Sequence, residues 1–141
     1  MSLEKEKVSC TIIGSFSDID LIVKIRETIK EAGYHIIAPT KEFFELKTHA
    51  IVQHHGEERH SESKWFVQRK ALSIKNYFEY VAKADFIYLV NEKNGEEYYG
   101  LNSSMEVGIA LYLGKPVVLH RPTTRAELKG LTMPCEFIDI K

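Results

Sequence analysis

The sequence contains few of the residues that mark the disulfide-rich and zinc-binding classes of protein. Two of its 141 residues are cysteines, Cys10 and Cys135, and no CxxC pair is present. Two thiols so far apart in sequence are too few for a disulfide scaffold, and on their own they do not make a zinc framework. Cysteine usage of this kind favours a reducing, cytoplasmic setting.

Long apolar runs and a surplus of one charge are also absent. No stretch approaches the roughly 18 apolar residues of a membrane helix, and residues 1–10 (MSLEKEKVSC) lack the hydrophobic region of a signal peptide. We therefore expect no membrane partner and no secretion. The 19 basic and 20 acidic residues give a formal charge of −1. A dedicated nucleic-acid binder needs a basic surplus to release counterions, so no nucleic-acid partner is expected.

The composition that remains is that of an ordinary globular domain. It is 44% hydrophobic and 28% charged, and the length suggests one domain over residues 1–141, with residues 1–7 as a loose N-terminus. Strand and helix patterns alternate along the chain. The predicted strands cover 8–13, 34–38, 85–90, 116–120 and 136–140. The predicted helices cover 17–32, 67–81, 103–113 and 123–129.

This alternation predicts an α/β fold with a five-stranded parallel sheet and helices on both faces. The expected strand order is 2-1-3-4-5, which is the flavodoxin-like winding of a Rossmann-like, three-layer domain. Ligands of such sheets bind beyond the carboxyl ends of the strands, where the strand order reverses. We expect that edge to bring together residues 14–18, 91–106 and 120–125.

Glu106 has two interpretations. The spacing Ser103-x-x-Glu106 matches a capping box, in which the serine caps a helix and the glutamate reaches back to it. Alternatively, the helix dipole would favour an ionised Glu106 facing the cleft, where it suits attack on an oxocarbenium-like sugar carbon. Spacing alone favours the capping box. Gly108 fits close packing of this helix on the sheet.

Several motifs together resemble one family. The segment SMEVGIALYLGKPVVL (104–119) resembles the glutamate signature of the nucleoside 2-deoxyribosyltransferase superfamily. TIIGSFSDID (11–20), EAGYHIIAP (31–39) and AKADFIYLV (82–90) resemble that family's first βαβ unit and the approach to its glutamate loop. The resemblance covers most of residues 8–122, in the same order, and with it the functional interpretation of Glu106 is preferred.

The resemblance implies cleavage of the N-glycosidic bond of 2′-deoxynucleosides or their 5′-monophosphates. Glu106 would attack C1′, the base would leave, and the deoxyribosyl ester would pass to a second base or to water. It implies no metal and no organic cofactor, and a homodimer or higher homo-oligomer. The expected substrate-binding residues lie at the predicted sheet edge: Gly14, Ser15, Phe16, Ser17, Asp18, Gly100, Asn102, Ser103, Ser104, His120 and Arg121.

Local matches and departures qualify this resemblance. Gly14-Ser15 and LHRP (119–122) resemble the branch that hydrolyses 5′-monophosphates, and Arg121 and Arg125 have the forked donors that suit a phosphate. The transferases have two aspartates that this chain lacks. Asn76 or Tyr77 stands in place of one, and Gly100 stands in place of the aspartate near the leaving base, so that Glu96 or Glu97 would have to reach in from the loop.

Two other functions stay open. A phosphoribohydrolase also has Gly-Ser after its first strand, but GLNSSME (100–106) lacks the expected Pro-Gly-Gly-x-Gly-Thr run. A nucleotide-binding sensor without turnover is favoured by the missing aspartates. His49, His54, His55 and His60 suggest a metal site, yet their spacing matches no tight helical pair. A surface loop is the preferred interpretation of that stretch.

Overall fold

A computed structural model describes residues 7–41 and 64–136, except for the side chains of residues 64–66, 69 and 70. The strands in these ranges are β1 (Ser9–Gly14), β2 (His35–Ala38), β3 (Phe86–Val90), β4 (Glu92–Lys93), β5 (Glu96–Glu97), β6 (Val117–Leu119) and β7 (Met133–Pro134). The helices are α1 (Ile19–Glu31), α2 (Lys64–Lys83), α3 (Leu101–Tyr112) and α4 (Ala126–Lys129). The histidine-rich stretch and residues 1–6 lie outside the described residues.

Five strands form one parallel sheet in the order β2-β1-β3-β6-β7. This confirms the α/β class and the parallel, Rossmann-like sheet predicted from the alternation, with the predicted order of its five strands. The short strands β4 and β5 form a separate antiparallel hairpin inside the loop after β3. Because the chain runs outward from β1 to β2 and then returns to β3, the strand order reverses between β1 and β3.

The fifth described strand of this sheet, β7, lies in a segment for which no strand was predicted. Met133 and Pro134 pair with Val118 and Leu119, whereas the strand was expected over 136–140. Glu136 lies outside any strand, and residues 137–141 are not among the described residues. The apolar pattern did not reveal this strand because both of its side chains are exposed, and a proline is tolerated only at the edge of a sheet.

Alternate residues of β3 point to opposite faces of the sheet, and all five are buried. Each face has its own apolar cluster. The first, which we call the α1 cluster, contains Phe86, Tyr88 and Val90 together with the helical stripe Ile22, Ile25 and Ile29. The second, the α2/α3 cluster, contains Ile87 and Leu89 together with Tyr77, Val81, Val107 and Ala110.

Both helices that begin at the predicted site start differently from expectation. Helix α1, predicted from residue 17, begins at Ile19 with Asp18 as its N-cap, and the Asp18 Oδ1 accepts a hydrogen bond from the Leu21 amide at 3.1 Å. Helix α3 begins at Leu101, with Gly100 as an N-cap that makes no side-chain bond. Ser103 therefore lies inside the first turn and is buried. The predicted capping box of Ser103 and Glu106 is wrong.

Two glycines near the site differ in how closely the chain packs around them. Gly14 ends β1 with φ of +141°, and a Cβ there would meet the Val90 carbonyl oxygen at 2.5 Å and the Val90 Cβ at 2.9 Å. Gly108 is exposed, and a Cβ there would meet nothing within 4 Å. The expectation that Gly108 allows close packing on the sheet is wrong, because it lies on the outer side of α3.

No helix in the described ranges is long and apolar enough to cross a membrane.

Gly14→Ala should lower the free energy of unfolding by about 3 kcal/mol, since an added Cβ would force β1 and β3 apart and strain the backbone. Gly108→Ala is the matched control and should raise the free energy of unfolding by about 0.5–1 kcal/mol, because alanine is the better helix former. Urea denaturation of both variants measures the difference. Equal stability of Gly14→Ala and wild type would contradict the described contact of β1 with β3.

Candidate active site

The carboxyl ends of three neighbouring strands bring the predicted site segments to one edge. Gly14 pairs with Val90, and Leu89 pairs with Leu119, so the residues that follow β1, β3 and β6 emerge together. Helix α3 starts at the same edge, after the β4–β5 hairpin. The predicted site residues in these segments are Gly14, Ser15, Phe16, Ser17 and Asp18 after β1; Gly100, Asn102, Ser103, Ser104 and Glu106 at the start of α3; and His120 and Arg121 after β6.

Glu106 is the buried acid of this edge, with 6% of its surface exposed. Burial raises the pKa of its carboxyl from the ordinary 4.5 to about 7. Within residues 7–41 and 64–136, no hydrogen bond or ion pair to this carboxyl is found. We expected the helix dipole to favour its charge, but Glu106 is the sixth residue of α3, and the dipole effect fades after the first turn.

Tyr77 is the titratable side chain that α2 places beside Glu106. It is 7% exposed, and its ring makes edge contacts with Phe16 at 5.9 Å and with Tyr80 at 5.4 Å between centroids. Burial raises the pKa of Tyr77 well above 10, and the charges of ionised Glu106 and Tyr80 raise it further. The loop after β1, helix α2 and helix α3 therefore meet around one buried carboxyl and one protonated phenol.

Asn91 ties together the loops that follow β3 and β6. It is fully buried directly after β3. Its Nδ2 donates to the Arg121 carbonyl at 3.0 Å and to the Tyr99 hydroxyl at 3.2 Å, and its Oδ1 accepts from the Arg121 amide at 3.0 Å. These bonds satisfy the Arg121 backbone and hold the chain that enters α3 against the turn after β6.

Glu97 is a second acid at this edge, and its pKa is shifted in the opposite direction from that of Glu106. Its carboxylate accepts hydrogen bonds from the Thr124 hydroxyl, the Tyr99 hydroxyl and the Thr124 amide. The Tyr99 hydroxyl also lies 2.6 Å from Thr123 Oγ1. These bonds, of which the Thr124 hydroxyl bond is the largest influence, lower the pKa of Glu97 from 4.5 to about 2. Glu97 is therefore ionised at neutral pH and is not a proton donor to a leaving base.

The two arginines suggested for a phosphate already have contacts in the protein. Arg121 Nη1 donates to the Gly95 carbonyl at 2.9 Å and lies 3.4 Å from Glu92 Oε1. The Arg125 guanidinium lies 5.8 Å from the centre of the Tyr99 ring. Arg121 thus holds the β4–β5 hairpin, because its guanidinium contacts the Gly95 carbonyl and Glu92.

His120 lies on the other face of the sheet from Glu106. Its Nδ1 is 2.7 Å from the Tyr88 hydroxyl, and Tyr88 belongs to the α1 cluster, whereas Glu106 interacts with Tyr77 of the α2/α3 cluster. Burial lowers the pKa of His120. The structure does not bring His120 together with the buried carboxyl.

An open groove of about 470 Å³ lies between the start of α1 and the β4–β5 hairpin. Its polar lining includes Ser17, Asp18, Asp20, Glu92 and Lys93. The Ser15 and Ser17 hydroxyls are 3.0 Å apart beside it. The predicted residues Ser17 and Asp18 line this groove, whereas the buried Glu106 is not among its lining residues.

Sequence reasoning missed the polar network behind the loops. Asn91, Tyr99, Thr123 and Thr124 were not singled out, although Asn91 has a recognisable signal, because it is a polar residue directly after a fully apolar strand at the switch point. Tyr99 and the two threonines have no such signal, since they meet only through the tertiary fold.

Asn91→Leu should lower the free energy of unfolding by about 2–4 kcal/mol, because it leaves the Arg121 amide and carbonyl without their partner in a buried place. Asn76→Ala, on the exposed side of α2, is the control and should change stability by less than about 0.5 kcal/mol. Thermal unfolding followed by circular dichroism measures both. Tolerance of Asn91→Leu at the level of the control would show that the network does not stabilise these loops.

Neither the models of known protein families nor the curated proteins include a match. The resemblance to the nucleoside 2-deoxyribosyltransferase superfamily thus remains a prediction from the quoted motifs.

Proposed function

We propose that this protein cleaves or transfers at the N-glycosidic bond of 2′-deoxynucleosides or their 5′-monophosphates, with Glu106 as the nucleophile. The observation that carries the proposal is a carboxyl 6% exposed at the switch-point edge, with no described hydrogen bond or ion pair. Folding alone gives no reason to keep an acid in such a place, because burying its charge costs stability. Strongly perturbed acids of this kind cluster at functional sites.

The chemistry follows from one carboxylate. A Glu106 oxygen attacks C1′ of the sugar, the C1′–N bond breaks, and its electron pair leaves with the base. The ester that forms is then attacked at C1′ by water or by a second base, which releases Glu106 as a carboxylate; the proton that the attacking group loses balances, through solvent, the proton that the departed base takes up. In a site shielded from water, the negative carboxylate stabilises the positive charge that develops on the sugar more strongly than it would in solvent.

We place the reaction on a three-layer, flavodoxin-like domain in the cytoplasm, with no metal or organic cofactor taking part. The partner is a small nucleoside or nucleotide, and the protein works as a homodimer or higher homo-oligomer.

A nucleotide-binding domain without turnover is the second candidate. Gly100 caps α3 where the transferases have an aspartate, and Tyr77 faces Glu106 from the helix where they have another. Glu97, the acid nearest in sequence, is bound by Thr124 and Tyr99 in its ionised form. These features favour nucleotide binding without cleavage, because they leave the leaving base without a proton donor.

Glu106→Gln and Glu106→Ala should each lower base release by roughly 10³-fold or more, because no covalent intermediate can form without the carboxylate. Chromatography of deoxynucleosides, deoxynucleoside monophosphates and their ribose counterparts, with and without an acceptor base, measures release and exchange. Glu79→Gln on the exposed face of α2 is the control.

Base release lost only in the Glu106 variants supports the proposal. Faster release from ribonucleotides would indicate a phosphoribohydrolase instead. Binding of the panel without release, in wild type and variants alike, would identify the binding domain and contradict the nucleophile.

Glu106 should also make the folded protein less stable as pH rises. Its pKa is about 7 in the folded protein and 4.5 when unfolded, so between these values the folded state binds more protons. Stability from this group is highest below about pH 4.5 and falls through pH 7, by about 3 kcal/mol in all. Glu106→Gln lacks this titration. The stability of Glu106→Gln relative to wild type should therefore increase by that amount between about pH 4 and pH 8.5.

Urea denaturation across this pH range measures the difference, and the other titrating groups cancel between the two proteins. A difference that stays constant with pH would mean that Glu106 is not desolvated as described.

A further inference from the structure

We propose that the outer face of helix α3 is the surface through which two copies of this chain associate. Four residues at helical spacing, Leu101, Met105, Gly108 and Tyr112, form one stripe along this face, which we call the α3 stripe. The proposal rests on the proposed function in one respect, because it assigns a surface to the homo-oligomer named there. The exposure, charge and spacing of α3 support it, and it involves no substrate and no step of the reaction.

The α3 stripe is apolar and open to solvent. Leu101 is 78% exposed, Met105 37% and Tyr112 89%, and Gly108 is exposed as well. With 3.6 residues per turn, the four positions lie within about 60° of one another around the helix axis. The buried residues of α3, such as Ala110, lie on the opposite side. The stripe therefore points away from the sheet, and its side chains belong to neither apolar cluster of the described residues.

Helix α3 also lacks the charges that a solvent-exposed helix face normally carries. Glu106 is the one charged residue among its twelve, and it is buried. Helix α1 shows the ordinary pattern in the same molecule, with Lys24, Glu27 and Lys30 on its exposed side and an isoleucine stripe toward the sheet. A helix that is apolar on its outer side as well as its inner side is typical of one that a partner covers.

The size of this surface is sufficient for a dimer. Leu101, Tyr112 and the C-cap residue Leu113, which is 46% exposed, contribute most of its area. From these exposures, the outer surface of α3 amounts to roughly 600 Å² in each copy. A pair of such surfaces reaches the lower end of the range of stable interfaces, about 1,200 to 2,000 Å² in total.

The spacing of the α3 stripe favours a second copy over a different protein. Its members lie four, three and four positions apart, which reads the same in both directions of the chain. Two α3 helices that pack antiparallel about a two-fold axis therefore place Leu101 opposite the partner's Tyr112 and Met105 opposite the partner's Gly108. A long side chain then meets a position where an added Cβ would find nothing within 4 Å. A parallel pair would oppose two glycines and leave a gap between the helices.

Charge also favours a second copy. The α3 stripe has no charged residue that would select a partner of opposite sign, and a formal charge of −1 leaves two copies with little mutual repulsion. A helix that binds a membrane surface carries basic residues along its polar side, and α3 has no basic residue. An uncharged, self-complementary stripe is thus best satisfied by the same stripe of another chain.

Opposite charges introduced at the two ends of the α3 stripe test this pairing. Leu101→Glu and Tyr112→Lys should each raise the dissociation constant of the dimer by roughly 100-fold or more, because each buries an unpaired charge in the interface. An acid near the start of a helix and a base near its end suit the helix dipole, so neither variant should weaken the fold. The double variant Leu101→Glu/Tyr112→Lys should return to within about tenfold of wild type, since the opposite charges then face each other across the two-fold axis.

Sedimentation velocity of the full chain over a range of concentrations measures the association, and circular dichroism checks that each variant is folded. Wild type should sediment with twice the 16.2 kDa mass of one chain. Val23→Lys is the matched control, because Val23 is an apolar residue 38% exposed on α1, and its replacement should leave the dissociation constant unchanged.

A wild-type chain that remains at 16.2 kDa at every concentration overturns the proposal. An assembly that folded Tyr112→Lys leaves intact also overturns it, since another surface would then hold the copies together. Single variants that dissociate without rescue by the double variant overturn the antiparallel pairing. Base release is a separate measurement: its absence from the substrate panel contradicts the proposed function and leaves the masses to decide the interface, whereas a monomer that releases base overturns the interface alone.

Discussion

The close parallel pairing of β1 and β3 is the constraint on which the site depends. At the carboxyl edge a Cβ on Gly14 would lie 2.5 Å from the Val90 carbonyl, so the two strands approach where only hydrogen fits. This contact places Phe16 beside Tyr77 and Asn91 beside the turn after β6. The loops of the switch point are thus positioned by backbone geometry before any side chain of the site makes a contact.

The packing that holds the helices on the sheet also determines the protonation state of Glu106, the proposed nucleophile. Val107 and Ala110 are buried against the sheet to anchor α3, and Glu106, adjacent to Val107, is carried into the same low-dielectric region. The pKa of about 7 follows from that burial, so the carboxyl is divided between its two forms near neutrality. The protein gives up stability at this residue, as proteins do where local chemistry conflicts with folding.

Much of this arrangement was predictable from the sequence, and the rest was not for physical reasons. The alternating apolar patterns predicted the parallel sheet, its strand order and the stripe of Ile22, Ile25 and Ile29, because burial leaves a periodic signal. The predicted start of α3 was wrong, since Gly100 caps the helix without a side chain, whereas the spacing Ser103-x-x-Glu106 matched a capping box. Asn91 is recognisable as a polar residue directly after an apolar strand, but its partner Arg121 lies 30 positions away and Thr124 lies 27 positions from Glu97, and a single sequence does not show such pairings.

Glu97 and Glu106 lie at the same edge of the sheet, but their surroundings shift their pKa values in opposite directions. The Thr124 and Tyr99 hydroxyls and the Thr124 amide hold the pKa of Glu97 near 2, whereas burial without a comparable partner raises the pKa of Glu106 to about 7. A carboxylate bonded by so many donors is a poor nucleophile, because those bonds would have to break before it attacks. Glu97 accordingly holds the loops together, and we assign the proposed chemistry to Glu106. A nucleophile must be ionised when it attacks, so in the proposed reaction the proton for the leaving base comes from a group other than these two carboxyls.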